Sequence, residues 1–341
     1  MQGACGAVGR SLRTSRNFAT TVTVALLGTR GEIVSIAPSL RFALLVSVPT
    51  QYLRAEVRMK IGVLAFVASY TAHPVEVARK CEALGFESFW LPEHAIMPVN
   101  PKTPFPRGDG KIPEIYSNMI DPFVGLALAA GATNRLKLGT GICLVPERDP
   151  FNLAKEVATL DYYSRGRVLF GIGAGWLRDE SEIMGVDFRR RWPMTREYIR
   201  AMKELWTRDE ASFEGEFVKF PALRSNPKPT QRPHPPVHIG AGGERALRNT
   251  ARIGDGWAPI AVKPDDLKTE LAKLRQLCAE VNRDFSKLEI TIFSPVSGKD
   301  SRAAVEAYRV AGAHRLILFP PTLAPDKYEA ELEELAKGWI V

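Results

Sequence analysis

Residues 168–180, VLFGIGAGWLRDE, decide the fold. An apolar run, Val168, Leu169, Phe170 and Ile172, ends in the alternating glycines Gly171, Gly173 and Gly175, then Trp176 and a charged cluster. Such a run reads as a strand buried on both faces, as in a parallel sheet, with its C-terminal end kept thin by glycine. A dinucleotide fingerprint would need glycine where Trp176 stands, so the G-x-G-x-x-G reading is weak.

Outward from this strand, a rhythm of short apolar strand and helix runs from Met59 to the C-terminus. The strands are expected at 61–66, 88–91, 137–144, 168–173, 237–240, 256–260, 288–293 and 315–319. Helices are expected at 74–84, 122–132, 152–163, 195–207, 244–253, 265–281, 301–311 and 325–337. Leu267, Leu271, Leu274 and Leu277 show the helical spacing most plainly. Eight such units predict a (β/α)8 TIM barrel, an α/β fold whose chemistry sits at the C-terminal ends of the strands. Three insertions break the rhythm. Those at 95–120 and 176–194 follow strands two and four and would wall the pocket; that at 212–236, before strand five, reads as a hairpin and a proline-rich lead.

The chain has 341 residues and a formal net charge of +8. Residues 1–58 hold seven Arg, no Lys and only Glu32 and Glu56, so five of the eight excess charges lie there and no nucleic-acid groove is indicated. The segment's apolar runs are too short to span a bilayer. Its Arg10, Arg13 and Arg16 faintly resemble a targeting peptide, but Thr20, Thr21 and Thr23 interrupt the apolar core. We read 1–58 as a non-native or disordered extension ahead of a true start at Met59, and 59–341 as the barrel domain. A chain starting at Met59 that failed to fold would refute this. Cys5, Cys81, Cys143 and Cys278 form no C-x-x-C pair, which fits reduced thiols in the cytoplasm. The five histidines include no H-E-x-x-H, and no metal site is expected.

At the expected mouth, Pro92, Glu93 and His94 follow strand two and place a carboxylate and an imidazole where proton transfer needs them. Gly139 and Gly141 in LKLGTGICLVPERDP allow a bulge on which a flat ring could lie. Gly240, Ala241, Gly242 and Gly243 run straight into a helix, leaving N–H groups for an anion, with Lys263 as a second charge. Trp176 is either a pocket wall or a plug over the barrel end. Arg189, Arg190 and Arg191 read as a solvated loop or as a rim contact for an acidic cofactor tail. Asp161, Arg165 and Arg167 read as structural.

Together, PEH after strand two, LGTGI in strand three, LAKEVATLDYYSRGR leading into GIGAGWLRDE, and GAGGERALRNTARIGDGW resemble the luciferase-like monooxygenase superfamily, from Met59 to about residue 260. GAGW followed by acidic residues is most similar to its deazaflavin F420-dependent branch. The resemblance implies hydride transfer between F420 and a small organic substrate. The alternative is an FMNH2-dependent monooxygenase of the alkanesulfonate type that uses O2, and a further one is a barrel that only sequesters the cofactor. It implies His94, with Glu93, as the acid–base group; His94 beside the ring; Gly141 and Ile142, often joined by a cis peptide, behind it; and Ala241, Gly242 and Gly243 on the phosphate. Gly173, Gly175, Trp176 and Asp179 complete the cofactor set. Relatives are commonly homodimers. Three departures matter. Trp176 stands where the sugar-phosphate dehydrogenases carry a catalytic Glu, and Pro98 where they carry a tryptophan. Ala174 stands where luciferases hold the FMN phosphate with arginine, which leans toward F420.

Overall fold

The structure is a computed structural model, and it describes residues 59–294 and 301–340. The reading of 1–58 as an extension lies outside the described residues.

The strands are β1 (Lys60–Leu64), β2 (Ser88–Leu91), β3 (Lys137–Thr140), β4 (Cys143–Leu144), β5 (Val168–Gly173), β6 (Ala211–Glu214), β7 (Lys219–Leu223), β8 (Val237–Ile239), β9 (Gly256–Trp257), β10 (Glu289–Ser294) and β11 (Arg315–Leu318). The α-helices are α1 (Pro74–Leu84), α2 (Pro122–Ala132), α3 (Pro150–Tyr163), α4 (Arg178–Ile183), α5 (Arg191–Thr207), α6 (Gly243–Ile253), α7 (Pro264–Glu280), α8 (Ser301–Ala311) and α9 (Tyr328–Trp339). All barrel pairings are parallel, in the order β3, β2, β1, β11, β10, β9, β8, β5, β4. The ring closes through β3 on β5, Leu138 facing Val168. With β3 and β4 counted as one interrupted strand, this is the expected eight-stranded (β/α)8 barrel.

The interruption falls at a cis peptide between Gly141 and Ile142, after which Cys143 pairs with Ile172. The expected strand at 137–144 is therefore two pieces. Inside the ring, Leu64, Trp90, Leu169, Ala258, Phe293 and Ile317 form one cluster drawn from five strands and the segment after β9. The larger core lies between strands and helices. Proline opens α1, α2 and α3 as their first helical residue, where no N–H is needed, and Asp121 and Asp149 cap the latter two by accepting backbone N–H groups.

The insertion at 212–236 carries the hairpin β6–β7, as expected. The insertion at 176–194 is more ordered than expected, because it contains α4 and the first turn of α5. Among the described residues, no helix is long and apolar enough to cross a membrane.

Candidate active site at the C-terminal ends of the strands

Every residue of β2 is buried, so the chain leaves the barrel at Pro92 with little freedom, and the residues that follow are placed by the sheet. His94 is held at both ring nitrogens, with its side chain only 5% exposed. Nδ1 lies 2.5 Å from Oε2 of Glu180. Trp176 donates its indole N–H to Nε2 at 3.1 Å. An indole N–H only donates, so Nε2 is the acceptor and the ring proton sits on Nδ1, donated to Glu180. The tautomer follows from the partners.

Glu180 comes from α4. Leu177, Glu180 and Ser181 fall on one helical face and are all fully buried, which turns the Glu180 carboxylate inward. Its other oxygen accepts the Ile96 N–H at 3.4 Å. The insertion at 95–120 supplies aromatic walls around the imidazole. Tyr116 lies 5.3 Å from the His94 ring, Phe105 lies 5.3 Å from Tyr116, and Trp176 lies 5.4 Å from Phe105. Trp176 thus joins this group of rings, and it also bonds to the imidazole.

The glycines of the floor are explained mostly by the protein's own side chains. A methyl on Gly139 would sit 2.1 Å from the Trp90 ring, and one on Gly171 would sit 2.1 Å from the Thr140 carbonyl oxygen. On Gly173 or Gly240 it would sit 2.2 Å or 2.4 Å from the Ile142 side chain. Ile142 therefore lies across the ends of β5 and β8, and the glycines make room for it. Gly175 has φ +81° and lets the Glu147 carboxylate approach its Cα, since a methyl there would be 2.9 Å from Oε1.

At the head of α6, Gly242 is the N-cap and offers no side chain, and Gly243 starts the helix at φ +78°. Among the described residues, a methyl on either glycine would meet nothing within 4 Å. Unblocked N–H groups opening onto free space fit a phosphate. The Ala241 carbonyl accepts the Trp257 indole N–H at 2.8 Å, which fixes the turn.

Two acidic residues singled out from the sequence are engaged elsewhere. Glu93 accepts the Leu144 N–H at 2.6 Å and Arg148 Nε at 2.5 Å, and Arg148 reaches on to Asp121 and Glu156. The carboxylate that touches His94 is Glu180. Asp179 accepts the N–H groups of Lys102 and Thr103 at 2.8 and 3.0 Å and the Thr103 hydroxyl at 2.6 Å. That hydroxyl, with the two N–H groups, holds the Asp179 carboxyl down at about 2. Its observed role is to tie the two mouth insertions together. Arg191 is not simply solvated. It donates to the carbonyls of Gly175 and Phe188 and lies 3.6 Å over the Phe188 ring.

Sequence reasoning named neither Glu180 nor Glu147. Glu147 accepts the Ser181 hydroxyl at 2.6 Å, and its Oε2 is buried without a hydrogen-bond partner among the described residues. Burial pushes its carboxyl up to about 8. The Ser181 hydroxyl opposes that shift and the nearby Glu180 and Glu93 charges add to it.

At the strand ends the barrel thus gathers a doubly held imidazole, an aromatic enclosure and a helix start with uncapped N–H groups. The chain belongs to the luciferase-like monooxygenase family, whose sequence profile matches residues 59–338. An uncharacterized protein of Mycobacterium tuberculosis is 38% identical over 283 residues, 82% of this chain and 98% of that one. An F420-dependent glucose-6-phosphate dehydrogenase of Kineococcus radiotolerans is 28% identical over 298 residues, 83% of each chain. Among solved structures, the oxygenating constituent of 3,6-diketocamphane monooxygenase from Pseudomonas putida, in complex with FMN, superposes with a TM-score of 0.62 at 16% identity. It covers 82% of this chain and 97% of that one, a likeness of fold.

Proposed function

We propose that this enzyme transfers a hydride between deazaflavin F420 and a small organic substrate, with His94 handling the accompanying proton. The observation that carries the reading is His94 held in one tautomer between Glu180 and Trp176 at the strand ends. An imidazole whose Nδ1–H is committed to a carboxylate presents Nε2 as a base toward the mouth once the indole yields. When bound, the cofactor supplies the hydride chemistry. The protein's residues position, enclose and move the proton. Gly242 and Gly243 would hold the phosphate, and Gly141 and Ile142 would back the ring, with Gly173 leaving room for Ile142. Trp176 would wall the site. Gly175 and Asp179 would act from behind it, by admitting Glu147 and by anchoring the 95–120 insertion. Glu93 would set the charge behind His94.

The F420 reading is supported by Ala174, which is buried and offers no cation to a flavin phosphate, and by the F420-dependent relative. The competing reading is FMNH2-dependent oxygenation. Titration of the protein with F420 and with FMN, in both oxidation states, separates them. Tight F420 binding beside weak FMN binding is expected, and the reverse would move the enzyme to the oxygen-using branch. With a substrate in hand, His94→Gln should lose roughly 10²- to 10⁴-fold in turnover while keeping cofactor affinity. Full turnover would remove His94 from the mechanism.

We further infer that two copies pair through α2, whose outward residues Val124, Ala127, Leu128 and Gly131 are all apolar or small. A monomer mass by sedimentation would end that reading. A cytoplasmic setting is supported by the free, buried thiols of Cys81, Cys143 and Cys278, and cell fractionation tests it.

A further inference from the structure

The 95–120 insertion brings one more polar atom to the mouth. Tyr116 sits in the short helical turn Glu114–Ser117. The chain after it is pinned to the exit of β1, where the Ile120 N–H bonds to the Val67 carbonyl at 3.1 Å and Met119 bridges to Ala68. The Tyr116 ring lies 5.3 Å from that of His94 and 5.7 Å from that of Phe66, just past β1. Phe66 in turn lies 6.4 Å from Phe319, just past β11. These two and Ile142 pack on the inner-barrel cluster while staying partly exposed. Apolar surface thus leads from the barrel interior to the imidazole.

The Tyr116 hydroxyl is surplus to that packing. Phenylalanine would make the same ring contacts, and among the described residues the oxygen bonds to nothing. Polar atoms on buried rings elsewhere do bond: Trp90 donates to Ser88, Trp257 to the Ala241 carbonyl and Tyr308 to the Val262 carbonyl. Nor is the Tyr116 oxygen sealed in as Oε2 of Glu147 is, so a ligand can reach it. Burial raises the phenol above its ordinary pKa, against the nearby Arg107 charge, and keeps it a neutral donor. A phenol oxygen stands one bond outside its ring, so this hydroxyl and Nε2 of His94 fall within the span of one small molecule.

We propose that Tyr116 orients the substrate: its hydroxyl donates to the oxygen of a small, uncharged, largely apolar alcohol whose own O–H donates to Nε2 of His94. This rests on the reading of His94 as the acid–base group. The resting tautomer leaves Nε2 an acceptor, so whatever displaces the indole from it must bring a hydrogen. An alcohol oxygen has that hydrogen, and lone pairs left for the phenol. The surrounding rings offer its carbon body apolar surface. In the oxidation, the C–H hydride leaves with its electron pair for the oxidised cofactor, the O–H proton goes to Nε2, and the C=O that remains still accepts from Tyr116. His94, then an imidazolium paired with Glu180, returns the Nε2 proton to solvent once the product leaves. Reduction runs the same steps backwards.

The test reads binding rather than turnover. A ketone beside oxidised cofactor cannot react, so cyclohexanone labelled with carbon-13 at its carbonyl is the probe, on full-length protein with and without whichever of F420 and FMN it binds. Tyr116→Phe should weaken cyclohexanone binding roughly 2- to 10-fold and return its C=O infrared band toward the position in an aprotic solvent. Methylenecyclohexane, the same shape without the oxygen, should bind both proteins alike. Thermal unfolding should also match, because the hydroxyl holds nothing in the fold. Equal ketone affinity and an equal band in the two proteins overturn the assignment. So does an equal loss of both probes, which would leave Tyr116 a wall, and so does wild-type protein that binds no ketone. Errors in the cofactor or in His94 show in the cofactor titration and in His94→Gln turnover, neither of which involves Tyr116, so the readings fail separately.

Discussion

The two ends of the barrel handle buried charge in opposite ways. At the N-terminal end, the Arg315 guanidinium, 1% exposed, bonds to both oxygens of Glu87, both of Glu289 and the Thr291 hydroxyl. Lys60 adds a second cation to Glu289. At the C-terminal end the floor is glycine, the head of α6 has no side-chain cap, and Glu147 keeps an oxygen without a partner. One end pairs its charges, leaving only the neutral His238 beside Glu289 without hydrogen bonds among the described residues, and the other leaves a carboxyl oxygen and a helix start open. A closed network cannot bind or exchange anything; the open one can, and that is where the family's chemistry is expected.

The contrast breaks most forcefully at Arg315. Replacing it with Met strands Glu87 and leaves Glu289 with Lys60 as its cation, and losing one partner of a buried pair should cost about 3–5 kcal/mol in urea unfolding. Cofactor affinity of the folded fraction should not change. A loss under about 1 kcal/mol would mean the network is not what closes this end.

The second effect has the opposite sign. Glu147 is raised from 4.5 to about 8, so the folded protein keeps a proton that the unfolded chain gives up above 4.5. That stabilising term is full below pH 4.5 and is lost as the pH rises toward 8. Glu147→Gln has no proton to lose, so it should be more stable than wild type at neutral pH by about 3 kcal/mol. The gap between the two proteins should open steadily between those two pH values. His238 is held down at about 4 mainly by burial and weakens the fold as pH falls from 6.5, but it is common to both proteins and cancels. A gap that does not change with pH would show that Glu147 is ionised in the fold.

Fold and site were not equally legible in the sequence. Eight alternations of strand and helix fix a barrel because each strand's apolar run needs a helix to cover it, and that shows without any contact being known. His94 was legible for a related reason, since a polar residue just past a fully buried strand must emerge at the rim. Its partner was not. Asp179 and Glu180 are adjacent carboxylates, and only the phase of a helix that was read as loop says which one faces in. The phase was present: Leu177, Glu180 and Ser181 share a face with an apolar residue, whereas Asp179 does not. Glu147, in LVPERDP, had no such signal, because what marks it is Gly175 and Ser181 from other parts of the chain. The glycines carried a misleading part of the message. Their thinness was read as room for a ligand, whereas Trp90, Thr140 and Ile142 occupy most of it.

The smallest effect tests the open end at its most specific bond. Trp176→Phe keeps a ring against Phe105 and His94 but removes the one donor to Nε2 among the described residues. In the wild type two bonds select the Nδ1–H tautomer; in the variant Glu180 alone does. One neutral hydrogen bond is worth about 0.5–1.5 kcal/mol, so the tautomer ratio should fall by roughly 2- to 10-fold. The nitrogen-15 shifts of His94 should move toward a mixture, with no change in unfolding beyond that of a smaller ring. The direction matters for function, because Nε2 must exchange the indole for a substrate proton. A donor that holds the tautomer yet costs about 1 kcal/mol to displace can fix the base beforehand without blocking it. Unchanged shifts would show that Glu180 alone selects the tautomer and that Trp176 serves only as a wall.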